Sequence, residues 1–348
     1  MRAALLALVL AAASLGCLSS RNARQAEAQE QLNRAGVPID EIIARGQLDD
    51  RTRGLLAHVR GMKAFGEENG LRRSRSFERY VQLGRPTLSW VVITSESLAF
   101  RPGPGMHSTW FEPRDAWAYA NELTRAGWDT AVRSSSAYST TRRFADPVSS
   151  AMIKKGDEAL GDLADTIFHE TFHETFYIPA QSMLSESLAT FVGDELALRY
   201  LDATTGPASP EKQAFVELHE RLAARASTMR ATYDALASVY RSSRTREEKL
   251  AEKARLLAET RLLLGHRPEL TNATLLEYQT YGSGRAELAL LLRACNGSIA
   301  RLIGSLEHVR ERAETAPSGS EAGPLLRPLI DAGCPAGWGT RGREVDHR

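Results

Sequence analysis

Residues 159–177, ALGDLADTIFHETFHETFY, carry apolar side chains at steps of three and four residues. This spacing lines up one side of an α-helix, so the segment is predicted to be a helix with a buried face. The apolar positions that repeat are Leu160, Leu163, Ile167, Phe168 and Phe172.

Two histidines lie one turn apart on the predicted helix, in the segment HETFH at residues 169–173. At that spacing two imidazoles point the same way and can share one tetrahedral ion at roughly 2.0–2.1 Å. Glu170 is rotated to the side, where it reaches a water molecule at the metal rather than the metal itself. The pattern predicts one zinc ion per chain, bound by His169 and His173, with Glu170 as general base. The alternative is that both histidines are hydrogen-bonded core or surface residues.

A second helical stretch, Ser182 to Tyr200, follows a turn at Pro179 and carries Glu186 near its start. A hairpin of two helices would return Glu186 to the histidines as third ligand and leave a fourth position for water, which indicates catalysis. Alternatively, Glu186 is a helix-terminal charge favoured by the helix dipole. Asp194 and Glu195 are the other candidates, either as acceptors for a ligand histidine or as the third ligand.

A small sheet is predicted upstream of the motif. Leu88 to Thr94 (LSWVVIT) and the shorter Ser97 to Phe100 have strand character. Pro113 opens a helix that stops at Gly127, and Trp128 to Val132 is a further strand candidate. Residues 19–60 carry apolar positions at loose helical spacing and are predicted to be helices.

The segment Ala137 to Thr140 lies between this sheet and the motif helix. As an edge strand it would hold an extended peptide by strand addition, because its backbone groups would be unpaired. Ala137, Tyr138 and Ser139 are therefore predicted to bind substrate. A plain loop is the alternative.

The later half of the chain is helical and highly charged. Ser209-Pro210 begins one long amphipathic stretch, Thr245-Arg-Glu-Glu248 matches a capping box for a second, and Gly265 with Pro268 ends it. Residues 209–265 thus predict an antiparallel charged helical pair, either a solvated scaffold or a partner-binding surface.

No repeat or tandem domain is evident, so residues 17–348 are predicted to form a single domain. The segment 318–348 is rich in Gly, Pro and Arg and is expected to be a loosely ordered tail. Cys295 and Cys334 either form a disulfide or remain separate thiols, because spacing alone does not place them within bridging distance.

Composition sets limits on the class of protein. The 348 residues include 43% apolar residues, enough for a packed core. Lys and Arg number 44 against 43 Asp and Glu, so no overall field favours nucleic acid, and no nucleic-acid partner is predicted.

The first residues are typical of an export signal. Arg2 precedes an apolar run from Ala3 to Ala13, which is shorter than the roughly 20 residues that span a bilayer. Residues 1–16 are therefore predicted to be a signal peptide. Ser14-Leu15-Gly16-Cys17 resembles the lipobox of bacterial lipoproteins, which implies a lipid anchor on Cys17 and an exported, membrane-anchored protein facing the periplasm or the outer surface. An ordinary cleaved signal is the alternative.

Several segments resemble, in order, the bacterial putative aminopeptidase family, predicted zinc-dependent lipoprotein peptidases of the gluzincin type. The matching segments are residues 76–80 (SFERY), 82–86 (QLGRP), 137–140 (AYST), 146–147 (DP), 167–170 (IFHE) and 186–190 (ESLAT). The resemblance implies a zincin-like metallopeptidase core, zinc ligands His169, His173 and Glu186, and Glu170 as catalytic base. The chain departs from the family at Ser185, where Asn is usual, and in a shortened loop at residues 101–111.

Further matches lie downstream, at Asn272-Ala273 and Thr280-Tyr281. Zinc peptidases of this broad kind commonly use a Tyr or His to hydrogen-bond the developing oxyanion, and Tyr281 is the candidate here. A core tyrosine is the alternative.

These observations predict an α+β fold that is mainly α-helical, with a zincin-like core, a small β-sheet and a long charged helical pair. The expected function is zinc-dependent hydrolysis of peptide substrates. One alternative is a lipid-anchored envelope scaffold or binding protein with a non-catalytic metal site. Another is a zinc hydrolase with a different substrate, because the motif defines the nucleophile and not the substrate.

Overall fold

The protein is described by a computed structural model that covers residues 26–140, 143–179, 181–265, 269–282, 284–317, 320 and 322–335. The predicted signal peptide, the predicted anchor Cys17 and the end of the predicted tail, residues 336–348, lie outside the described residues.

Helices dominate the described chain. In chain order they are α1 (26–35), α2 (Ile39–Ala44), α3 (Asp50–Glu68), α4 (Pro113–Arg125), α5 (Ala159–Thr175), α6 (Ser182–Thr204), α7 (Pro210–Arg241), α8 (Arg246–Leu263), α9 (Asn272–Gly282), α10 (Arg285–Ala294), α11 (Ile299–Ser305), α12 (Glu307–Thr315) and α13 (Ala322–Asp331), with a 3₁₀ turn at Ser150–Met152. The α+β, mainly helical class predicted from the sequence is confirmed.

Two three-stranded sheets accompany these helices. The strands are β1 (Val37–Pro38), β2 (Arg79–Val81), β3 (Ser89–Ser95), β4 (Ser108–Trp110), β5 (Asp129–Ser135) and β6 (Val148–Ser149). The first sheet has the order β1-β2-β6, with β2 parallel to β6. The second has the order β4-β3-β5 and is antiparallel throughout. In this second sheet β5 is therefore an outer strand.

The helical hairpin of α5 and α6 forms the centre of the main core. Ile167, Phe168 and Phe172 of α5 are at most 1% exposed, as the apolar periodicity of this segment predicts. Ser185 stabilises the turn between the two helices, since its hydroxyl accepts a hydrogen bond from the Ile178 amide at 3.2 Å. The hairpin predicted from Pro179 and the second helical stretch is confirmed.

The antiparallel sheet has a helix on each face. Val92 and Trp110 pack against Ala116 and Ala120 of α4 on one face, and Ile93 packs with Ala273 of α9 on the other. The two faces follow from the alternation of side chains along β3.

Two strand predictions were wrong. Residues 97–100 form a turn, closed by a hydrogen bond from the Glu96 amide to the Arg101 carbonyl. The aromatic ring of Phe100 stacks on Tyr233 of α7 at a centroid distance of 3.9 Å, so packing against a helix replaces strand pairing. Residues 137–140 are likewise irregular, and the edge strand proposed there is the loop that was its alternative.

The charged pair α7 and α8 is docked on the sheet rather than wholly solvated. Met229, Leu236 and Leu257 form an apolar seam between the two helices. Lys253 of α8 donates to the Asp129 carboxylate at 2.6 Å and to the Ser97 carbonyl at 2.9 Å. The predicted helix starts are confirmed, because the side chains of Ser209 and Thr245 cap α7 and α8.

The tail departs from its prediction. The segment expected to be loosely ordered contains α13, and Leu326 and Leu329 of this helix are buried in the main core. Cys295 and Cys334 form a disulfide with a Cα–Cα distance of 5.1 Å, which ties the chain after α13 to the end of α10. None of the described helices combines the length and the apolar character needed to cross a bilayer.

Candidate metal centre

Three ligand-type side chains converge where α5 faces the first turns of α6. The Nε2 atoms of His169 and His173 are 3.2 Å apart. Glu186 places one carboxylate oxygen 3.3 Å from the His169 Nε2 and the other 3.5 Å from the His173 Nε2. The hairpin thus returns Glu186 to the two histidines.

These separations fit a tetrahedral ion. When zinc binds nitrogen or oxygen at roughly 2.0–2.1 Å, tetrahedral geometry separates neighbouring ligand atoms by roughly 3.3–3.4 Å. The two histidine nitrogens lie 3.2 Å apart, and each oxygen of Glu186 lies 3.3 or 3.5 Å from one of them. Two imidazoles and one carboxylate are also the donor types that zinc takes in catalytic sites. The residues therefore fit a zinc ion in both spacing and chemistry.

Burial and the neighbouring histidines determine the pKa values of the two carboxyl groups at this cluster. Burial disfavours ionisation of Glu186, but hydrogen bonds from His169 and His173 outweigh it and hold the pKa of the carboxyl well below its usual range. Glu170 lies beside them, where burial raises the pKa of its carboxyl although both histidines act to lower it. A second carboxylate without a direct contact to the histidines is the arrangement expected of a general base.

The other acidic candidates on α6 lie elsewhere. Asp194 pairs with His219 at 3.3 Å and with Arg285, and Glu195 pairs with Arg199 at 3.6 Å. Neither replaces Glu186 beside the histidines, because each lies about two turns further along the helix.

Among the described residues the Nδ1 of His173 is buried without a hydrogen-bond partner.

A cleft of about 1410 Å³ opens over the cluster. The residues of α5 and α6 that line it include His169, Glu170, His173 and Glu186. The opposite wall is the outer strand β5, all of whose residues line the cleft. An outer strand beside a ligand cluster can bind an extended chain.

The predicted substrate segment follows directly on this strand. Ala137, Tyr138 and Ser139 line the cleft as an irregular continuation of β5. Asp146 stabilises the segment, because its carboxylate accepts hydrogen bonds from the Thr140 amide at 2.7 Å and from the Thr140 hydroxyl. Burial raises the pKa of Asp146 to about 6. The edge that was predicted at residues 137–139 belongs instead to residues 129–135.

Tyr281, the predicted oxyanion donor, belongs to α9, but its side chain lies outside the described residues. One turn earlier on the same helix, Glu277 forms an ion pair with Arg133 of β5. Both residues line the cleft. Sequence reasoning missed this pair, since nothing local to either residue relates a strand to a helix more than a hundred residues away.

Sequence reasoning also missed His107, which lines the cleft from the loop before β4. Its backbone is left-handed, with φ of 58°, and its Nε2 is buried without a hydrogen-bond partner in the described part of the chain. Burial lowers the pKa of this imidazole, whereas the Glu186 carboxylate raises it. The shortened loop at residues 101–111 carries no motif that singles out this histidine.

A second cluster lies one turn before His169 on α5. Asp165, Asp194 and His219 bring ligand-type atoms within 4.8 Å of one another, one from each of α5, α6 and α7. Of these three, only Asp165 lines the cleft.

Comparison with known proteins places most of this chain in one family. A family model described as Putative aminopeptidase matches residues 22–317. The matched range contains both sheets, the α5–α6 hairpin and the residues that line the cleft. No curated protein and no solved structure matches the chain.

Proposed function

The chain belongs to the putative aminopeptidase family, and from that premise we propose that it is a zinc-dependent aminopeptidase with a zincin-like core. In this proposal His169, His173 and Glu186 bind one zinc ion, and Glu170 is the general base. The single observation that carries the proposal is the set of ligand separations from 3.2 to 3.5 Å at the base of a large cleft.

A bound zinc ion supplies a Lewis acid that polarises the substrate carbonyl and makes a neighbouring water more acidic. Glu170 accepts the proton of that water as its oxygen attacks the carbonyl carbon. Glu170 then delivers the proton to the leaving amine nitrogen, so the carboxylate is regenerated when the C–N bond breaks. Its position beside the histidines on α5 puts it within reach of both steps.

The substrate backbone lies along β5 in this proposal. As the outer strand of its sheet, β5 can offer backbone amide and carbonyl groups to an extended peptide, and the segment from Ala137 to Ser139 continues the wall. Tyr138 is held near this site, where burial raises the pKa of its hydroxyl and Asp146 and Glu170 act in the same direction. Its phenol therefore stays protonated and can donate a hydrogen bond.

Two features favour a peptidase over a non-catalytic envelope scaffold. A structural zinc site has four protein ligands and needs no base, whereas within the described part of the chain three ligands converge here and Glu170 stands beside them. The cluster also lies open to a cleft rather than closed in the core. Anchoring of an exported form through Cys17 is part of the proposal and rests on the resemblance of residues 14–17 to a lipobox.

The test measures zinc content and peptide cleavage for the purified full chain and for Glu170→Gln and His173→Ala. We expect one zinc per chain in the wild type and in Glu170→Gln, and little in His173→Ala. Glu170→Gln should lower kcat/KM by at least roughly 10²- to 10⁴-fold, the range for loss of a positioned general base.

Glu195→Gln is the matched control, since Glu195 is a partly exposed glutamate of α6 that pairs with Arg199. It should keep both zinc and activity. A wild type that takes up no zinc and cleaves no peptide would refute the proposal and favour the scaffold.

A further inference from the structure

The cleft has an excess of carboxylates, and most of them already have a role or a partner. Glu170 and Glu186 belong to the candidate metal centre. Glu277 pairs with Arg133, Asp129 pairs with Lys253, and Glu269 is exposed. Among the described residues of the lining, the remaining acidic one is Asp165.

Within the described chain, Asp165 has no cationic partner. Its Oδ1 is inaccessible to solvent and has no hydrogen-bond donor, although the residue as a whole is partly exposed through the cleft. The neighbouring basic side chains are engaged by Asp194, which contacts both Arg285 and His219. Burial raises the pKa of Asp165 well above its usual range, and the carboxylates of Asp194 and Asp162 add to this effect. Arg285 acts in the opposite direction, but its guanidinium pairs with Asp194 and not with Asp165.

The position of Asp165 suits the end of a peptide. It precedes His169 by four residues on α5, so it lies on the same helix face and roughly 6 Å along the axis. A carbonyl at the metal places the amino nitrogen of its own residue roughly 5 Å from the ion, and an ion-paired carboxylate roughly 2.8 Å further. Asp165, one helical turn from His169, lies within this distance of the metal centre.

We propose that Asp165 binds the free amino terminus of the substrate and thereby restricts cleavage to the first peptide bond. The inference rests on the proposed peptidase function and adds to it the group that selects the chain end. An ammonium ion provides one positive charge and three donors, which suit a carboxylate that lines the cleft and has no cationic partner in the described chain. A substrate whose amine is blocked cannot form this ion pair and so loses the interaction with Asp165.

A second metal ion at Asp165, Asp194 and His219 is the competing occupant of this cluster. The ion pair between Asp194 and Arg285 disfavours it, because a divalent cation would be bound directly beside a guanidinium. The number of metal ions bound per chain therefore distinguishes a second metal ion from a substrate ammonium.

The experiment compares tripeptides with free and with acetylated amino termini on the full zinc-loaded chain. The wild type should cleave the free form with kcat/KM roughly 10- to 100-fold higher, the range for a hydrogen-bonded charge pair. Asp165→Asn should lose a similar factor on the free peptide and should discriminate little against acetylation, because both changes remove the same interaction. Its zinc content should stay at one per chain.

Asp162→Asn is the matched control, since Asp162 is a buried carboxylate on the same helix that does not line the cleft. This variant should keep the full preference for a free amine. Equal cleavage of both peptides by the wild type would overturn the inference while leaving the peptidase proposal intact. If the wild type bound a second zinc ion and Asp165→Asn did not, Asp165 would be a metal ligand, and its assignment to the substrate ammonium would be wrong.

A binding measurement decides the inference even when no peptide is cleaved. Calorimetry on Glu170→Gln should show the free tripeptides binding roughly 10- to 100-fold more tightly than the acetylated ones. Equal affinity, or no binding of either form, would overturn the assignment of Asp165 independently of turnover.

Discussion

Gly193 is the residue that allows α6 to approach α5 beside the candidate metal centre. A Cβ atom at this position would lie 2.5 Å from the Asp165 Oδ1, 3.1 Å from the Asp165 carbonyl oxygen and 3.3 Å from the His169 Cβ. Two of these three contacts are with parts of α5 that cannot rotate away. A single missing side chain thus sets the distance between the helix that carries both histidines and the helix that carries Glu186.

Gly193→Ala should therefore disturb the metal centre without removing a ligand. We expect zinc affinity to fall by roughly tenfold or more and the free energy of unfolding to fall by about 1–3 kcal/mol, as in other overpacked cores. Titration with a zinc chelator and chemical denaturation measure the two quantities.

Gly54→Ala is the control, because Gly54 is an exposed position of α3 with no atom within 4 Å of the added Cβ. It should raise the free energy of unfolding by about 0.5–1 kcal/mol through helix propensity alone. Wild-type zinc affinity in Gly193→Ala would show that the helices can separate without moving His169.

At the scale of elements, Asn272 connects α9 to three other parts of the fold. Its amide nitrogen donates to the Glu96 carbonyl at 3.0 Å, its side-chain oxygen accepts from the Tyr240 hydroxyl at 2.8 Å, and its backbone N–H donates to Asp129 at 2.8 Å. The side chain is fully buried. One residue therefore relates α9 to the turn after β3, to β5 and to α7.

Asn272→Ala should loosen the wall of the cleft that faces the candidate metal centre. Loss of the side chain leaves the Tyr240 hydroxyl and the Glu96 carbonyl without these partners, so we expect a loss of about 2–4 kcal/mol in the free energy of unfolding. Hydrogen exchange should increase in α9 and β5 and should change little in α5.

Gln213→Ala provides a comparison, because the Gln213 side chain donates one exposed hydrogen bond to the Ala208 carbonyl. Its effect should be within about 0.5 kcal/mol. Equal stability of the two variants would mean that the Asn272 network contributes nothing beyond a surface contact.

For the whole molecule, the last described helices complete the core around the α5–α6 hairpin. Leu291 of α10, Leu302 of α11, Val309 of α12 and Leu326 of α13 are fully buried in the same cluster as that hairpin. The disulfide joins residues 39 positions apart and encloses α11, α12 and α13, while α10 ends at its first cysteine.

Replacement of both cysteines by Ser should lower the free energy of unfolding by about 2–4 kcal/mol, mainly because the unfolded chain gains freedom. Neither cysteine lines the cleft, so zinc content and kcat/KM at low temperature should remain at the wild-type level. Thermal unfolding of the oxidised wild type, the reduced wild type and the double variant checks this expectation. A double variant as stable as the oxidised protein would contradict it.

Much of the local structure follows from the sequence by itself. The apolar periodicity of residues 159–177 determines α5, and its i, i+4 geometry alone makes His169 and His173 neighbours. The helix starts at Ser209, Thr245 and Pro113 also follow from local chemistry, since a cap or a proline acts within one turn. These features need no contact beyond a few residues along the chain.

Only the tertiary structure decides which distant residues meet. The approach of Glu186 to the histidines depends on the turn held by Ser185 and on Gly193, and the position of Asp165 against Asp194 depends on the same helix packing. The strand predicted at residues 97–100 failed because contact of Phe100 with α7 stabilises a turn there. The Cys295–Cys334 bond and the exposure of His107 to the cleft likewise join residues far apart in sequence. Local spacing constrains a single helix, but packing between elements determines the site.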